Sequence, residues 1–471
     1  MWILALSSVT FIQGTLWGPV NETFRAKYIF IKEEEGESRA IERARSLFIF
    51  TNVVTLLGFI CFMFLHLQSA NLIAPGNSDA EISQLDFMLQ ILAPSLFLTQ
   101  ATLLLSSILN AYNIFYTPEI AGFISSILNI ASFILLVPFM GIYSLAVSYY
   151  LGLIVLLVML IQQIRKQKIP LFSSLSFRLK DSMPYLIFAL PFFIPYFFSQ
   201  LNSISEKSLA TNLGTGSISI IDYSRKFIDI PMSVIYSVLS TIMIPVLSQK
   251  FAQNEMTEFK KELRETFQLG LIFLGSFISI LILGATDMIN IIYNSGKIDG
   301  KSLDTISKLS VLYGFSSLAI FCFSIFGFTF ISLKKNKIYA TTATFAHIAI
   351  ISINLIFFKE LGIYIFPFSL LTAYFLNSAI LIFKFHTEVG GILRSVVIYT
   401  IFIIILCLIS YCSKQYIFSR IHYHPIILLI LKTFFLVPII LSIMFLLRLD
   451  ELKIISNSFQ KLKMILAKRF L

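Results

Sequence analysis

The segment SIIDYSRKFIDIP, residues 219–231, carries four charged side chains at the head of a long apolar run. Arg225, Lys226 and Asp229 follow Asp222 by three, four and seven residues, so a helix would place all four on one face. An arginine and a lysine together can bind a phosphate, and the aspartates can hold them by i,i+3 and i,i+4 pairing. The pattern therefore indicates a binding surface for an anion. An alternative is a helix end with neutralised charges at the outer headgroup level.

The residues around this face predict a broken helix. Pro231 follows Asp229 by two positions and would kink or break the helix, while Gly214 and Gly216 loosen the approach to it. Broken helices that carry charges form the binding segments of many transporters, and charges in a span usually face a watery cavity. We therefore expect this face to line a cavity.

A second basic site lies in PVNETFRAKYI, where Glu22 and Arg25 are three residues apart at the inner end of the first apolar run. Gly14 and Gly18, in the spacing Gly-x-x-x-Gly, would permit close packing against another helix. The alternative for Arg25 is an ordinary basic residue that flanks a span. Both sites suit an anionic substrate such as a phosphorylated lipid carrier.

Other charged residues are interpreted as structural. We expect Glu206 and Lys207 in a solvated outer loop, and Lys432 to snorkel to the interface or meet a lipid phosphate. Residues 31–45 read as a solvated connector helix with the pairs Glu35–Arg39 and Glu42–Arg45.

The composition places these sites in a membrane protein. The chain is 57% hydrophobic and 13% charged, with mean hydropathy +0.85, whereas soluble domains carry about 25% charged residues. We expect an all-α polytopic membrane protein of about 13 transmembrane helices, without a soluble catalytic unit. The predicted spans are 1–18, 46–67, 87–110, 119–140, 142–164, 182–202, 218–247, 267–289, 306–333, 338–358, 362–384, 392–412 and 425–447.

No cofactor or metal site is predicted. The four cysteines fall inside the spans without a Cys-x-x-Cys pair, and the five histidines are scattered. Paired carboxylates of the kind that a membrane glycosyltransferase needs on a large outer loop are missing as well, so we do not expect an enzyme.

The net charge of +11 follows the positive-inside rule and does not call for nucleic acid. Alternate loops and flanks hold 26 basic residues on one side of the membrane and seven on the other. The basic side is cytoplasmic, which places the C-terminus inside and, with thirteen spans, the N-terminus outside. No signal-peptide n-region precedes MWILALSSVTF, so a preceding span is expected to be missing, through a late start or a real loss.

An internal repeat indicates two lobes. Asn113 matches Asn336, Asn129 matches Asn354, and Arg45 matches Arg264, at shifts of 219 to 225 residues. Parallel repeats of six spans build transporters with a site between the halves. The predicted organisation is an N-lobe over 1–164, a cytoplasmic linker over 165–181, a C-lobe over 182–384, two additional transmembrane helices over 385–447 and a basic cytoplasmic tail over 448–471.

Several of these motifs resemble the MurJ/MviN lipid II flippases, of the superfamily that includes polysaccharide flippases and multidrug exporters. They are GPVNETFRAKYIFIKEEEG, LIAPG, LNAYNIFYTP and LATNLGTGSISIIDYSRKFIDIP with IMIPVLSQKFA. The resemblance implies fourteen spans in two six-helix lobes plus two extra C-terminal helices that shape a groove for a polyprenyl tail. It also implies alternating access in a bacterial inner membrane, a polyprenyl-diphosphate-linked sugar and membrane lipids as partners, and a monomer.

By the same resemblance, Lys226 stands where the family carries a cavity arginine and Asp229 where it carries a glutamate. Arg225 replaces an acidic residue. The family's first span is absent, and its arginine pair of the second span falls near Ile12 and Gln13. The expected function is inward-to-outward flipping of a lipid-linked peptidoglycan precursor. The alternatives are a flippase for an O-antigen or capsule unit, a multidrug exporter, and a truncated scaffold.

The topology yields the first testable prediction. A cysteine introduced at Phe172, in a background without the four native cysteines, should resist a membrane-impermeant thiol reagent added to intact cells, because 165–180 is on the basic side. Labelling from outside would overturn the orientation.

Overall fold

The structure is a computed structural model that describes residues 2–73, 78–112, 114, 116–173, 177–214, 216–239, 243–294, 298–333, 335–384, 392–421, 423–447 and 449. Every regular element in these ranges is a helix. The predicted basic tail, apart from Leu449, and most of the predicted loop at 384–394 lie outside the described residues. Two compact units, Met1–Ile218 and Ser219–Leu471, divide the chain.

The first unit contains seven long helices, and apolar side chains from them form two buried clusters. The helices are α1 (Trp2–Glu35), α2 (Glu37–Ile73), α3 (Asp79–Leu92), α4 (Ser95–Ala111), α5 (Tyr116–Met140), α6 (Ser144–Lys166) and α7 (Leu179–Thr211). Gly36, whose φ is 88°, separates α1 from α2. Pro94 separates α3 from α4, and the axes of these two helices differ by 46°. A single span over 87–110 was predicted here.

The second unit contains eight helices. They are α8 (Ser217–Val238), α9 (Ile244–Ala252), α10 (Met256–Tyr293), α11 (Gly300–Ser332), α12 (Asn336–Leu361), α13 (Ile365–Lys384), α14 (Ile392–Tyr416) and α15 (Pro425–Leu446). Helix α10 packs against α9, α11, α14 and α15. Stacked aromatic rings such as Phe267 on Phe321, with centroids 6.0 Å apart, fill the contact between α10 and α11.

Within the described residues, nine helical stretches are long and apolar enough to cross a membrane, or ten if the bent pair α3 and α4 is one span. Two of them, Tyr116–Lys166 and Lys337–Phe383, each combine two helices joined by a short 3₁₀ turn. The all-helical membrane fold is confirmed, whereas the count of thirteen spans is not. Helix α8 is outside the nine, and its four charges explain why.

The predicted close packing at Gly14 and Gly18 is confirmed, and the partner is α7. A Cβ atom at Gly14 would lie 2.6 Å from the Gln200 side chain, and one at Gly18 would overlap the Tyr196 ring. Absence of both Cβ atoms lets the two helices approach closely. Farther along the same seam, Phe24 of α1 stacks on Tyr185 of α7 at 5.1 Å. This seam positions both candidate residues on α1.

Because of this packing, the boundary between the units lies at 218, whereas the sequence places a boundary at 165–181. The predicted linker is itself held in place. Arg45 of α2 donates to the carbonyls of Leu171 (2.8 Å) and Pro170, and Arg39 pairs with Asp181 at 3.1 Å. The division into transport lobes stays a prediction.

The connector at 31–45 is helical apart from the break at Gly36. Its predicted pair Glu35–Arg39 is present, at 4.0 Å. Glu42 pairs with Arg39, at 2.7 Å. The Arg45 guanidinium donates to carbonyls of the predicted linker, because carbonyls that a tight turn leaves without a backbone partner require another donor.

The prediction for Lys432 is wrong. Its ammonium lies 2.5 Å from the carboxylate of Asp287, and the side chains of α15 and α10 that form this pair are only 10% and 11% exposed. Lys432 also lies over the Phe418 ring, at 5.5 Å. A buried partner at this distance removes the reason to snorkel, because the pair neutralises itself inside the bundle. The ion pair fixes α15 to α10.

The seam between α1 and α7 yields a prediction about stability. Gly18→Ala should destabilise the protein by about 1–3 kcal/mol, since its Cβ must displace the Tyr196 ring. Gly122→Ala in α5 is the matched control, because nothing lies within 4 Å of the new Cβ there. The control should be neutral or stabilising, as alanine is the better helix former. Thermal unfolding in detergent measures both, and equal unfolding temperatures for the two variants would contradict the packing.

Candidate functional site

The charged face predicted in the opening segment exists on α8. Lys226 lies 3.9 Å from Asp222, one helical turn away, with side chains 55% and 27% exposed. Asp229 is exposed as well, and the described residues give it no ion-pair partner. Lys226 and Asp229 therefore point away from the core of the second unit. The contact at 3.9 Å is weak, so the ammonium remains able to bind another anion.

Arg225 differs from Lys226 in its surroundings. It is half-buried, and its guanidinium lies 5.7 Å from the centre of the Tyr313 ring, on α11. Tyr313 is itself buried. A guanidinium over an aromatic face is attracted by the ring quadrupole. The four charges thus share one side of the helix, but Arg225 is fixed against α11 whereas Lys226 is exposed.

The opposite side of α8 is packed on α10 and α11. Ser310 donates to the carbonyl of Ser224 at 3.3 Å, and Ser224 lies 3.4 Å from the carbonyl of Ile306. Tyr223 stacks on Tyr293 of α10, with ring centroids 4.7 Å apart. These contacts fix the rotation of α8, and this rotation is what turns Lys226 and Asp229 outward.

Of the kink or break that was predicted at Pro231, the break is wrong. Helix α8 continues through Pro231 to Val238, and α9 begins at Ile244. Leu239 and Met243 have π-helical backbone, and 240–242 lie outside the described residues. A proline removes one hydrogen bond of the helix, and membrane helices tolerate this loss where neighbours satisfy the freed carbonyl. Helix α8 therefore continues two turns past the proline at which a kink or break was predicted.

Glu22 and Arg25 lie on α1 in the first unit. Glu22 is exposed and accepts a hydrogen bond from the hydroxyl of Tyr196 on α7, while Arg25 is half-buried. One position before Glu22, the amide of Asn21 exchanges hydrogen bonds of 3.2 and 3.3 Å with the fully buried amide of Gln100. The first unit therefore holds a carboxylate, a guanidinium and two amides around the middle of α1.

Glu206 is buried and Lys207 is half-buried, which was not predicted from the sequence. They do not form a solvated loop but belong to α7, where Glu206 is 2% exposed and Lys207 donates to the hydroxyl of Ser7 on α1. Asn202, one turn before Glu206, is also buried. The spacing of Asn202 and Glu206 by four residues was the available signal, since it places both on one helix face. Their charge suggested a loop only because the span was ended too early, at 202.

A further polar group lies inside the second unit. Ser324 donates to the hydroxyl of Tyr236 at 3.3 Å, which joins α11 to α8. His347 and Tyr374 lie edge to face at 6.1 Å, and among the described residues His347 Nδ1 has no hydrogen-bond partner. These groups offer hydrogen bonds that lipid tails cannot accept. These groups were not predicted, because each comes from a different helix and no local pattern links them.

Metal binding finds no support in the described part of the chain. No three His, Cys, Asp or Glu side chains there come together closely enough to hold an ion. The four cysteines are free thiols. What the described charges can do is bind an anion, through Arg225 and Lys226 in one unit and Arg25 in the other.

Comparisons with known proteins identify the family of this chain. The model of the family described as lipid II flippase MurJ matches residues 15–435. A probable lipid II flippase MurJ of Buchnera aphidicola subsp. Schizaphis graminum is 27% identical over 272 residues, which are 56% of this chain and 52% of that protein. The lipid II flippase MurJ of Burkholderia cenocepacia is 23% identical over 240 residues, 50% of this chain and 46% of that protein. The chain spans about half the length of these curated relatives.

Solved structures show the same fold. A lipid II flippase MurJ in an inward closed conformation has a TM-score of 0.71 at 20% identity, over 93% of this chain and 91% of that one. An inward-facing MATE multidrug transporter of the MOP superfamily has a TM-score of 0.68 at 11% identity, over 83% of this chain and 91% of that one. At these identities the likeness concerns the fold, whereas the family model covers most of the sequence. The chain belongs to the family of the lipid II flippase MurJ.

Proposed function

We propose that this protein flips lipid II, a polyprenyl-diphosphate-linked peptidoglycan precursor, from the inner to the outer leaflet by alternating access. The observation that carries the proposal is the family match over residues 15–435. The charged face of α8 supports it, because a half-buried Arg225 and an exposed Lys226 suit a diphosphate. No catalytic step is involved, since flipping breaks no covalent bond.

Arg225 and Lys226 have different roles in the binding and release of the phosphate. Arg225, held over Tyr313, presents its planar fork to one phosphate oxygen pair. Lys226 acts as a point charge without the fork, and Asp222 competes for it at 3.9 Å, so its hold on the phosphate is loose. Asp229 adds a negative charge that keeps the face from retaining every anion. Weak binding at Lys226 lets the lipid diphosphate dissociate, so the protein does not retain its substrate.

Arg25 acts at the other leaflet under the predicted topology. This orientation puts Arg25 at the cytoplasmic end of the apolar stretch Trp2–Arg25 of α1, one turn after Glu22, and the start of α8 at the outer side. The lipid diphosphate meets Arg25 as it enters and Lys226 as it leaves. The membrane potential is a sufficient energy source, because one charge that crosses 100 mV gains about 2.3 kcal/mol. The proposed setting is a bacterial inner membrane, with a monomer whose C-terminus is cytoplasmic.

A flippase for another polyprenyl-linked oligosaccharide, such as an O-antigen or capsule unit, would use the same diphosphate contacts. The cationic face does not discriminate between these sugars, so both lipids enter the binding test. Export of drugs is less compatible with the cations on α8, and the likeness to MATE transporters at 11% identity is one of fold alone.

The second prediction concerns transport in cells. Arg225→Gln with Lys226→Gln should abolish growth of a flippase-depleted strain that depends on this protein, because the phosphate loses both cations. Protein abundance should hold, since Lys226 is exposed and Arg225 is only half-buried, so that glutamine at either position leaves no buried cavity.

The matched control is Lys261→Gln. Lys261 is an exposed lysine on α10 of the same unit that pairs with Glu258 at 4.0 Å, so its loss should leave growth intact. Normal growth of the double variant would refute the role of the α8 cations.

The third prediction concerns the lipid itself. Native mass spectrometry should show retention of lipid II that weakens as salt rises, since the contacts are ionic. Arg25→Ala should lower affinity mainly in protein trapped inward-open, and Lys226→Ala mainly in protein trapped outward-open. Loss of one charge-assisted contact should reduce affinity about tenfold.

An O-antigen-type lipid and an uncharged lipid complete the series. Equal retention of the uncharged lipid would refute binding through the diphosphate. Preferential retention of the O-antigen-type lipid would assign the protein to the other polyprenyl-linked oligosaccharide.

A further inference from the structure

A cavity of about 610 Å³ lies wholly inside the second unit, apart from the charged face of α8. Its walls are α10, α11 and α14, with Tyr364 from the turn before α13. The volume is within the range of about 300–1,000 Å³ that small-molecule sites occupy.

The lining changes from polar to apolar along all three helices in the same direction. The polar lining residues lie toward the ends where α11 begins and where α10 and α14 end, with Tyr364 beside them: Thr286, Asp304, Ser307, Lys308, Tyr411, Lys414 and Gln415. The apolar residues lie one to two turns deeper: Ile282, Val311, Leu312, Phe315 and Leu408. A ligand that matches this gradient has a polar head and a hydrocarbon body.

The depth of the cavity suits part of an acyl chain. Asp304 and Phe315 line its two ends and are eleven residues apart on α11, which corresponds to about 16 Å of helix at 1.5 Å per residue. Tyrosines and lysines gather at the level of the lipid headgroups in membrane proteins. Tyr364, Tyr411 and Lys414 therefore mark the mouth as the headgroup level of the bilayer.

The charges at the mouth leave one ammonium available. Lys308 is paired with Asp304 at 2.6 Å, and these two side chains, each 60% exposed, neutralise one another. Lys414, in the last turn of α14, is half-buried, and the described residues provide no carboxylate within ion-pair distance. The mouth consequently carries a net positive charge, which complements a phosphate.

The cavity is separate from α15. No residue of α15 lines it, and Lys432 of that helix is engaged with Asp287 on α10. A groove shaped by the two C-terminal helices, of the kind implied for a polyprenyl tail, would require both α14 and α15. A polyprenyl chain is also much longer than the cavity. The shape and charge suit a shorter amphiphile of the surrounding bilayer.

We propose that this cavity binds an anionic glycerophospholipid, with its phosphate at Lys414 and one acyl chain between α11 and α14. The lipid fills the apolar space and joins α14 to α10 and α11. The site is independent of the transported substrate, so it holds whether or not the protein flips lipid II.

Delipidated, purified protein tests the site with three probes: dioleoyl phosphatidylglycerol, dioleoylglycerol and glycerol 3-phosphate. In native mass spectrometry the phosphatidylglycerol should bind best, and Lys414→Gln should weaken it about tenfold, the effect expected for one charge-assisted hydrogen bond. The same variant should leave dioleoylglycerol binding unchanged. Leu312→Trp, which fills the apolar part, should reduce binding of both lipids.

Lys301→Gln is the control, because Lys301 is an exposed lysine at the start of α11 outside the lining. Circular dichroism confirms that each variant keeps its helices. Unchanged phosphatidylglycerol affinity in Lys414→Gln would overturn the proposal. So would equally tight binding of glycerol 3-phosphate, which marks a soluble-phosphate site, or displacement of the phospholipid by a polyprenyl diphosphate, which marks the transport route.

Discussion

The cost of placing a charge in hydrocarbon governs this structure. A charged side chain in a span is tolerated where another group compensates it or where it faces water. The second unit shows both solutions. Asp287 and Lys432 are 145 positions apart in the sequence. Their carboxylate and ammonium lie 2.5 Å apart in the interior, which holds α15 against α10. Lys226 and Asp229 are instead left exposed on α8, and their presence keeps that helix from being an ordinary apolar span.

In the first unit, close packing of helices gives Glu22 and Asn21 of α1 their hydrogen-bond partners. Gly14 and Gly18 bring α1 against α7, and at that distance the Tyr196 hydroxyl reaches Glu22. The buried amides of Asn21 and Gln100 satisfy one another. A seam built in this way fixes where Arg25 stands without a covalent link. The position of Arg25 thus depends on Gly14 and Gly18, which have no side chain to keep α1 and α7 apart.

Local patterns could be predicted from the sequence, and long-range partners could not. The charged face of α8 and the glycine spacing on α1 are periodic features of single helices, so residues three and four apart reveal them. The ion pair of Asp287 with Lys432, and the stack of Arg225 on Tyr313, depend on which helices become neighbours. Glu206 and Lys207 were misplaced because charge was read as the end of a span. Pro231 was given too much weight, since neighbouring helices support α8 beyond it.

The central claim is that Arg225 and Lys226 of α8 serve transport, whereas the buried pair of Asp287 and Lys432 holds α15 against α10. Reconstituted protein in liposomes, with fluorescent lipid II as cargo, measures the initial rate of translocation directly. Arg225→Gln with Lys226→Gln should lose translocation, and Asp287→Leu with Lys432→Met should keep it, because apolar replacement of a complete buried pair is often tolerated. Wild-type translocation by the first variant would contradict the account.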